Sequence, residues 1–270
     1  MDNLTLALKM KRLAAWLDRA WQPAGFVARQ YDGAPFGRCY VTIDPARQAQ
    51  FASGNWNRMY FCGAEQGLRA EGLARLIDEF SAAGVKRFFA WLNPGPDMDV
   101  VRGWLSEAGF VPRMQWTRHP TLVRTSLDPP PVRSDLVVRE ARASDLAAAH
   151  AAVGERMWGE YERSFGKDGF THFMAFDGTR PVAIGALAVF EGLGYLTLAT
   201  TAEKDRQRGA QSVLIAARIA KARELGCTAA ATETLTMLEH SLRNLQRAGF
   251  RVAYEKEVYE WNAETSPAQS

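Results

Sequence analysis

The stretch "DRQRGAQSVLIAAR", residues 205–218, decides the fold because a glycine there joins a strand-like segment to a helix. The residues before it, "GYLTLATT" (194–201), favour a strand. Those after it place Leu214, Ile215 and Ile219 on one broad helical face. The first N–H groups of a helix have no partner inside the helix and lie at the positive end of its dipole, so this junction predicts an anion site.

Three residues of the junction suit a phosphate ligand. Gly209 lets the backbone approach a ligand closely, and Arg206 and Arg208 offer guanidinium groups that bind phosphate in a bidentate manner. The motifs GxxxxGK[ST] and GxGxxG are absent from this loop. By spacing alone, a charged surface loop is at least as good an interpretation as a phosphate site.

The second half of the chain predicts a mixed α/β layer fold. A short strand at 136–141 precedes helical residues, and three strands follow across 169–201, with turns at "DGTRP" and "EGLG". After the helix that begins near residue 210, a strand, a helix and the closing strand 250–261 complete the order β-α-α-β-β-β-α-β-α-β.

A proline-rich stretch, "TSLDPPPVRSD" (125–135), divides the chain near its middle. Three consecutive prolines exclude a helix and favour an extended spacer. The two halves end alike, each with an amphipathic helix, an Ala-Gly-Phe turn at Gly109 or Gly249, and a strand. This similarity favours duplicated domains. The alternative is a coincidence of two common helix–glycine–strand junctions.

The downstream block "SLRNLQRAGF" (241–250), taken with "RQRGAQS", resembles the GCN5-related N-acetyltransferases, the GNAT family. Their pyrophosphate loop has the pattern [Q/R]-x-x-G-x-[G/A]. Arg206 and Gly209 match it, whereas Gln211 stands where Gly or Ala is usual. The resemblance covers residues 136–261 closely and the first half only through the rhythm of its elements.

This resemblance implies an α/β fold of two tandem GNAT-like domains, each a mixed, mostly antiparallel sheet flanked by helices. The expected division is a degenerate GNAT-like domain at 1–127, a proline-rich linker at 128–135, an acyl-CoA-binding domain at 136–264 and a C-terminal tail at 265–270. Acetyl-CoA is the implied co-substrate, and an amine of a small molecule or peptide is the implied acceptor.

The resemblance also implies which residues hold coenzyme A. The N–H groups of the loop would bind the pyrophosphate, and the edge of the preceding strand would pair with the pantetheine arm, as a peptide adds to an exposed strand edge. The implied cofactor-binding residues are Leu198, Ala199, Thr200, Arg206, Gln207, Arg208, Gly209, Ala210, Gln211, Ser212, Ser241 and Asn244.

Family members transfer the acetyl group by direct attack of the amine on the thioester, and many use a tyrosine of the last helix as general acid. Leu245 and Leu105 stand at that position in the two halves, and neither donates a proton. Glu233, at a strand end, and Tyr254, on the closing strand, are the candidate catalytic residues. Their alternative roles are a solvated strand-end acid and a structural tyrosine. A non-catalytic acyl-CoA-binding module is the competing interpretation.

The acceptor site has three candidate residues in the stretch "MWGEYERSFG" (157–166): Trp158, Glu160 and Tyr161. Helix packing and a solvated acid are the alternatives for them. The first half has no matching loop, and the acids Glu65 and Glu71 near its helix start make a poor pyrophosphate site. Its tryptophans Trp56, Trp91, Trp104 and Trp116 suit either a ligand pocket or a core.

Composition narrows the class of protein. The chain has 270 residues, 47% hydrophobic and 23% charged, with a net charge of +3 that argues against a broad nucleic-acid-binding face. Three widely spaced cysteines show no zinc-site spacing, so no metal is expected. The N-terminus lacks a signal-peptide pattern, and no apolar run is long enough for a membrane span, so the expected location is cytoplasmic. The oligomeric state stays open.

Overall fold

The computed structural model describes residues 1–21, 25–47, 57–64, 67–113, 118–155 and 157–264. Trp56, Glu65, Trp116 and the tail 265–270 lie outside these residues. The chain divides into two compact units. Unit 1 comprises residues 1–119 and the C-terminal segment from Tyr254, and unit 2 comprises Pro120–Ala253.

The first half of the chain contains three helices and six strands among its described residues. In chain order they are α1 (Asn3–Trp21), β1 (Val27–Tyr31), β2 (Cys39–Ile43), β3 (Arg58–Cys62), α2 (Ala70–Ala82), β4 (Arg87–Asn93), α3 (Met98–Glu107), β5 (Val111–Pro112) and β6 (Arg118–Arg124).

The second half continues with four helices and six strands among its described residues. They are β7 (Val137–Glu140), α4 (Leu146–Val153), α5 (Trp158–Ser164), β8 (Phe170–Asp177), β9 (Arg180–Phe190), β10 (Leu193–Thr201), α6 (Ala210–Glu224), β11 (Ala229–Glu233), α7 (Glu239–Arg247) and β12 (Arg251–Asn262). The three strands predicted across 169–201 are confirmed as β8, β9 and β10. Residues 125–136 form neither helix nor strand.

Unit 1 is built on the strand order β1-β2-β3-β4-β12, with β5 also paired to β12. The pairing of β3 with β4 is parallel, and the other neighbours are antiparallel. Strand β4 is buried on both faces, as a central strand requires. Phe88 and its alternate residues face α2 and α3, where the Phe88 ring stacks on Phe80 at 4.2 Å. Phe89 and Trp91 share a second cluster with Ala15 of α1.

Unit 2 has the strand order β6-β11-β10-β9-β8-β7. Only β10 and β11 pair in parallel among its described strands, so the sheet is mixed and mostly antiparallel. Its core joins Leu214 and Ile219 of α6, Leu245 of α7, Phe250 just before β12 and Leu187 of β9. Helix α6 is the crossover connection between the parallel strands β10 and β11, and it packs against the sheet.

The compact units differ from the division expected at 128–135. Strand β12 closes the sheet of unit 1, because Val258 and Trp261 pair with Trp91 and Phe88 on β4. Strand β6, which precedes the prolines, belongs to unit 2, where Thr121 pairs with Glu233. Each unit therefore takes its last strand from the other half of the chain, and the proline-rich stretch lies inside unit 2.

Candidate functional site

The open edge of β10 is the first feature of the candidate site in unit 2. Strand β10 pairs with its parallel neighbour β11 from Leu193 to Tyr195, opposite Ala229–Ala231. Beyond Tyr195, in the part of the chain that the structure describes, the two strands are no longer paired. The Thr232 hydroxyl donates to the Leu196 carbonyl at 2.9 Å instead. The remaining residues of β10, through Thr201, thus face a gap in the sheet.

A bulge lies on the same part of β10. The register with β9 shifts between Thr197 and Thr200, which pair with Ala186 and Ile184. Leu198 lies inside the shift with a φ of 52°, a left-handed conformation uncommon for a non-glycine residue. A bulge leaves one residue out of the ladder and redirects the adjacent peptide groups. The predicted cofactor residues Leu198, Ala199 and Thr200 all fall on this segment.

The loop after β10 ends in a glycine-initiated helix, as the sequence predicts. Gly209 precedes α6 with a φ of 82°, and no side chain caps the helix start. The amides of Ala210, Gln211 and Ser212 belong to the first turn of α6, where N–H groups have no partner inside the helix. Gln207 also has a positive φ of 67°. The loop backbone is therefore curled around the N-terminus of a 15-residue helix.

An ion-pair network holds this loop from within unit 2. Arg208 donates to Asp177 at 2.7 Å and to Asp135 at 2.9 Å. Arg180 donates to both oxygens of Asp205 at 2.7 and 2.8 Å and to Asp177 at 2.9 Å. Hydrogen bonds from Arg208 and then Arg180 lower the pKa of Asp177 to about 2. Asp177 and Asp135 thus bind the Arg208 guanidinium, one of the two that the sequence predicts for phosphate.

The other loop cation is placed differently. The side chain of Arg206 is 59% exposed, and its nearest acid, Glu203, lies 3.6 Å away and is itself exposed. Such a loose surface pair costs little to rearrange. Arg206 is therefore the loop guanidinium that is accessible to a ligand, whereas Arg208 anchors the loop.

Gln211, which departs from the family pattern, has a defined contact. Its Nε2 donates to the Thr201 hydroxyl at 2.9 Å, tying the first turn of α6 to the end of β10. The side chain of Gln211 thus stabilises the junction between the strand and the helix. The Ser134 hydroxyl also contacts the loop, where it donates to the Arg208 carbonyl at 2.8 Å.

Glu233 ends β11 beside the gap. Thr121 donates its hydroxyl to one carboxylate oxygen at 3.0 Å, and the Tyr195 hydroxyl lies 3.5 Å from the other. The Glu233 side chain is half-buried, while Thr121 is fully buried. The sequence does not predict Thr121 or Tyr195 as site residues. Thr121 precedes the prolines and falls in the other expected domain, and Tyr195 reaches Glu233 only through the parallel pairing of β10 with β11.

The remaining predicted residues have mixed placements. Tyr254 is buried and belongs to unit 1, so the structure assigns it to a different unit from Glu233. Trp158 and Tyr161 are buried in unit 2, where the Trp158 ring stacks on His150 at 4.6 Å and the Tyr161 hydroxyl donates to the Phe173 carbonyl at 3.1 Å. These contacts are those of packed core residues. Glu160 is half-buried, 3.9 Å from Arg163.

Two further residues lie on α7. Ser241 is half-buried in the first turn, and Asn244 accepts a hydrogen bond from Arg247. The helix begins at Glu239, preceded by Leu238 rather than by a polar cap. Leu245 is buried in the core, as its apolar side chain requires.

The corresponding parts of unit 1 are closed. Strands β3 and β4 pair along all of Arg58–Cys62, opposite Phe89–Asn93. The loops beyond are in contact: Ala64 N donates to the Pro96 carbonyl at 2.9 Å, and a Cβ on Gly63 would lie 1.9 Å from that oxygen. At the start of α2, Arg69 N donates to the Pro35 carbonyl at 2.9 Å. Among the described residues of unit 1, the strand pair therefore has no gap, and Pro35 lies against the start of α2, which, like α6, has no side-chain cap.

Comparisons with known proteins agree with this architecture. No model of a protein family and no curated protein matches the sequence. Among solved structures, a GCN5-related N-acetyltransferase from Kribbella flavida has a TM-score of 0.67 at 17% identity, covering 96% of this chain and 95% of that one. One from Sphaerobacter thermophilus has a TM-score of 0.62 at 14% identity, with 98% and 94% coverage.

A tandem GNAT protein from the clavulanic acid biosynthesis pathway has a TM-score of 0.61 at 11% identity, covering 95% of this chain and 89% of that one. At such identities these similarities show the fold. The predicted fold of two tandem GNAT-like domains is thereby confirmed. Among the described residues, no helix combines the length and apolar character that a membrane span needs.

Proposed function

We propose that unit 2 binds acetyl-CoA and transfers its acetyl group to an amine of a small molecule or peptide. The observation that carries this proposal is the succession of an open, bulged β10 edge and an uncapped helix start at Gly209. A strand edge can hydrogen-bond the amide groups of pantetheine, and a helix N-terminus attracts a pyrophosphate. The two lie adjacent in sequence, as one extended ligand requires.

The loop residues have distinct roles in this proposal. The N–H groups of residues 209–212 bind the pyrophosphate, and exposed Arg206 adds charge. Arg208, Gln207 and Gln211 shape the loop, with Gln211 braced against Thr201. Ser241 and Asn244 on α7 line the cofactor side. Glu160 remains the proposed acceptor-binding residue, whereas Trp158 and Tyr161 support it by packing.

Direct attack is the proposed chemistry. The amine nitrogen forms a bond to the thioester carbon while the carbon–sulfur bond breaks, and the thiolate leaves as coenzyme A. Glu233, whose carboxylate is oriented by the hydrogen bond from Thr121, accepts the amine proton. Because Leu245 is buried where many family members have tyrosine, the thiolate takes its proton from water. Peptide N–H groups at the bulge stabilise the oxyanion.

A second candidate function is a non-catalytic acyl-CoA-binding module. The absence of an acid at Leu245 favours it, and Tyr254, the second proposed catalytic residue, lies in unit 1. Both candidates require acetyl-CoA binding, and only the first requires turnover. Release of free thiol with a panel of amines therefore separates them: binding without turnover across the panel supports the second.

Substitution of Gly209 tests the cofactor site. Calorimetry should detect acetyl-CoA binding with a Kd in the micromolar range, which corresponds to a binding free energy of about −8 kcal/mol. Gly209→Glu should weaken this binding by at least about 100-fold, because it places a carboxylate at the helix start. Gly209→Ala separates charge from the strain of a φ of 82° and should weaken binding less.

Gly103→Glu is the matched control, since Gly103 lies on α3 of unit 1 with open space around it. It should leave acetyl-CoA affinity unchanged. If the wild-type protein shows no binding of acetyl-CoA by calorimetry, both candidate functions are wrong.

A further inference from the structure

Arg218 is a buried arginine on α6, one turn beyond Leu214. Only 2% of its surface is exposed. Burial lowers its pKa to about 10, so the guanidinium stays charged at neutral pH. Among the described residues, no carboxylate pairs with it, and its hydrogen bonds go to carbonyl oxygens. A buried charge without an ionic partner is costly, so its contacts call for a functional explanation.

The contacts of Arg218 converge on the bulge of β10. Its Nη1 donates to the Thr197 carbonyl at 3.2 Å and to the Ala186 carbonyl at 3.4 Å. Thr197 and Ala186 are the last regular pair of β10 with β9 before the register shift. Its Nε donates to the Leu214 carbonyl at 3.0 Å, which fixes the side chain against its own helix. The guanidinium therefore bridges two strands and a helix at one point.

Gly185 provides the space for this arrangement. A Cβ on Gly185 would lie 3.2 Å from Arg218 Cζ and 3.4 Å from Nη1, closer than ordinary contact. Gly185 occupies the strand position between Ala186 and Ile184, opposite the bulge. A glycine in a strand interior weakens the strand and often marks a close approach of another group. Here that group is the Arg218 guanidinium.

The polarity of the peptide bond links Arg218 to the open side of β10. The Thr197 carbonyl and the Leu198 N–H belong to one planar trans peptide, so they point in opposite directions. A charged donor on the carbonyl polarises this peptide and strengthens its N–H as a donor. Leu198, with a φ of 52°, follows directly after the carbonyl that Arg218 binds.

We propose that Arg218 is a positioning residue for acyl transfer: it holds the β10 bulge and polarises the Thr197–Leu198 peptide, so that its N–H binds the thioester carbonyl oxygen more strongly as negative charge develops there. The inference rests on the proposed function of unit 2. In this inference the buried positive charge of Arg218 contributes to stabilising the oxyanion, in a site where Leu245 cannot act as an acid.

Two readouts test this role on the full-length protein. One is kcat and acetyl-CoA affinity with the best amine from the panel. The other is the carbonyl stretching frequency of bound ¹³C-labelled acetyl-CoA, measured by infrared difference spectroscopy, which reports polarisation even without turnover. Arg218→Met should lower kcat by about 10- to 100-fold, below the cost of removing a direct oxyanion donor. The affinity should change by less than about three-fold, because the pyrophosphate loop is untouched.

The carbonyl frequency in Arg218→Met should shift toward that of free acetyl-CoA. Arg218→Lys keeps the charge and can serve only part of the carbonyl contacts, so it should restore part of the shift. Gly185→Ala crowds the guanidinium without changing charge and should give an intermediate frequency. Arg223→Met removes an exposed cation from the same helix and should leave both readouts unchanged.

The outcomes separate this inference from the proposed function. Wild-type protein that fails to bind acetyl-CoA contradicts the proposed function. A wild-type complex whose carbonyl frequency matches that of Arg218→Met, or a kcat within two-fold of wild type in that variant, overturns the role of Arg218. If Arg218→Met fails to fold, Gly185→Ala and Arg218→Lys decide: wild-type frequencies in both also overturn it.

Discussion

At the scale of single residues, Glu233 has a geometry that a solvated strand-end acid does not need. One oxygen accepts from the buried Thr121 hydroxyl, and the other lies near Tyr195, beside the gap between β10 and β11. A general base must be oriented toward the proton that it accepts. The hydrogen bond from Thr121 supplies that orientation, and half-burial leaves the carboxylate accessible to an amine.

Substitution of Glu233 should therefore affect turnover rather than cofactor binding. We expect Glu233→Gln to lower kcat by about 100-fold or more, in the range that general bases contribute. Acetyl-CoA affinity, measured by calorimetry, should stay within about two-fold of wild type, because the loop and β10 are unchanged. Glu239→Gln, an exposed acid at the start of α7, is the control. Wild-type turnover in Glu233→Gln would return Glu233 to the role of a strand-end acid.

Individual residues also show what the sequence could and could not predict. Gly209 and Arg206 are placed as the local pattern predicts, because the geometry of a helix start depends on adjacent residues. Arg208 differs, since its partners Asp135 and Asp177 are distant in sequence. The roles of Trp158 and Tyr161 also depend on tertiary packing. Burial in the core suits the apolar area of large aromatic side chains better than a solvated pocket does.

At the scale of elements, the loop before α6 is preorganised by ion pairs rather than by a side-chain cap. Arg208 and Arg180 share Asp177, and Arg180 also holds Asp205. These bonds fix the loop before any ligand is present, which reduces the entropy lost on binding. The sequence predicted the strand, loop and helix correctly, because each has a local signature. It did not predict the bulge, whose register depends on the neighbouring strand β9.

The ion pairs of the loop predict a pH dependence of stability. Asp177 has a pKa of about 2 in the folded protein, below its ordinary value of 3.8, mainly because of Arg208. Because the carboxyl pKa is lower in the folded protein, the ion pairs stabilise the fold at pH values above the pKa of the unfolded chain. That contribution to stability is lost as pH falls from 3.8 through about 2. The melting temperature of the wild-type protein should therefore fall more steeply over this range than that of Asp177→Asn.

Asp168→Asn, which alters an exposed carboxyl of unit 2, provides the control and should keep the wild-type slope. Parallel slopes for the wild type and Asp177→Asn would mean that the network does not hold the loop in solution.

At the scale of the whole molecule, the two units share a central motif and differ in how far its strands are paired. In each, a parallel strand pair is joined through a helix, with β3-α2-β4 in unit 1 and β10-α6-β11 in unit 2. The sequence predicted the duplication from repeated helix–glycine–strand junctions. It could not predict that β6 and β12 belong to the opposite units, because strand partners are chosen by tertiary pairing rather than by proximity in the chain.

The difference between the units predicts the stoichiometry of binding. In unit 1, pairing continues to the ends of β3 and β4, the loops at Gly63 and Pro96 are in contact, and the start of α2 is met by Pro35. A pantetheine arm would have to break these contacts, at the cost of leaving backbone groups unpaired. We therefore expect one acetyl-CoA per chain, measured by calorimetry with the active protein concentration fixed independently.

Gly209→Glu sharpens this prediction, because it should weaken the single binding event by at least about 100-fold and leave no site of wild-type affinity. The Gly103→Glu control should keep one full site per chain, since that change lies on α3 of unit 1, where an added side chain meets open space. Two sites in the wild type, or one site of undiminished affinity in Gly209→Glu, would show that unit 1 opens in solution. One site whose affinity is lost in Gly209→Glu would mean that the two units differ in function. Unit 2 holds the cofactor, while unit 1, closed by its own strand pairing, has lost that role.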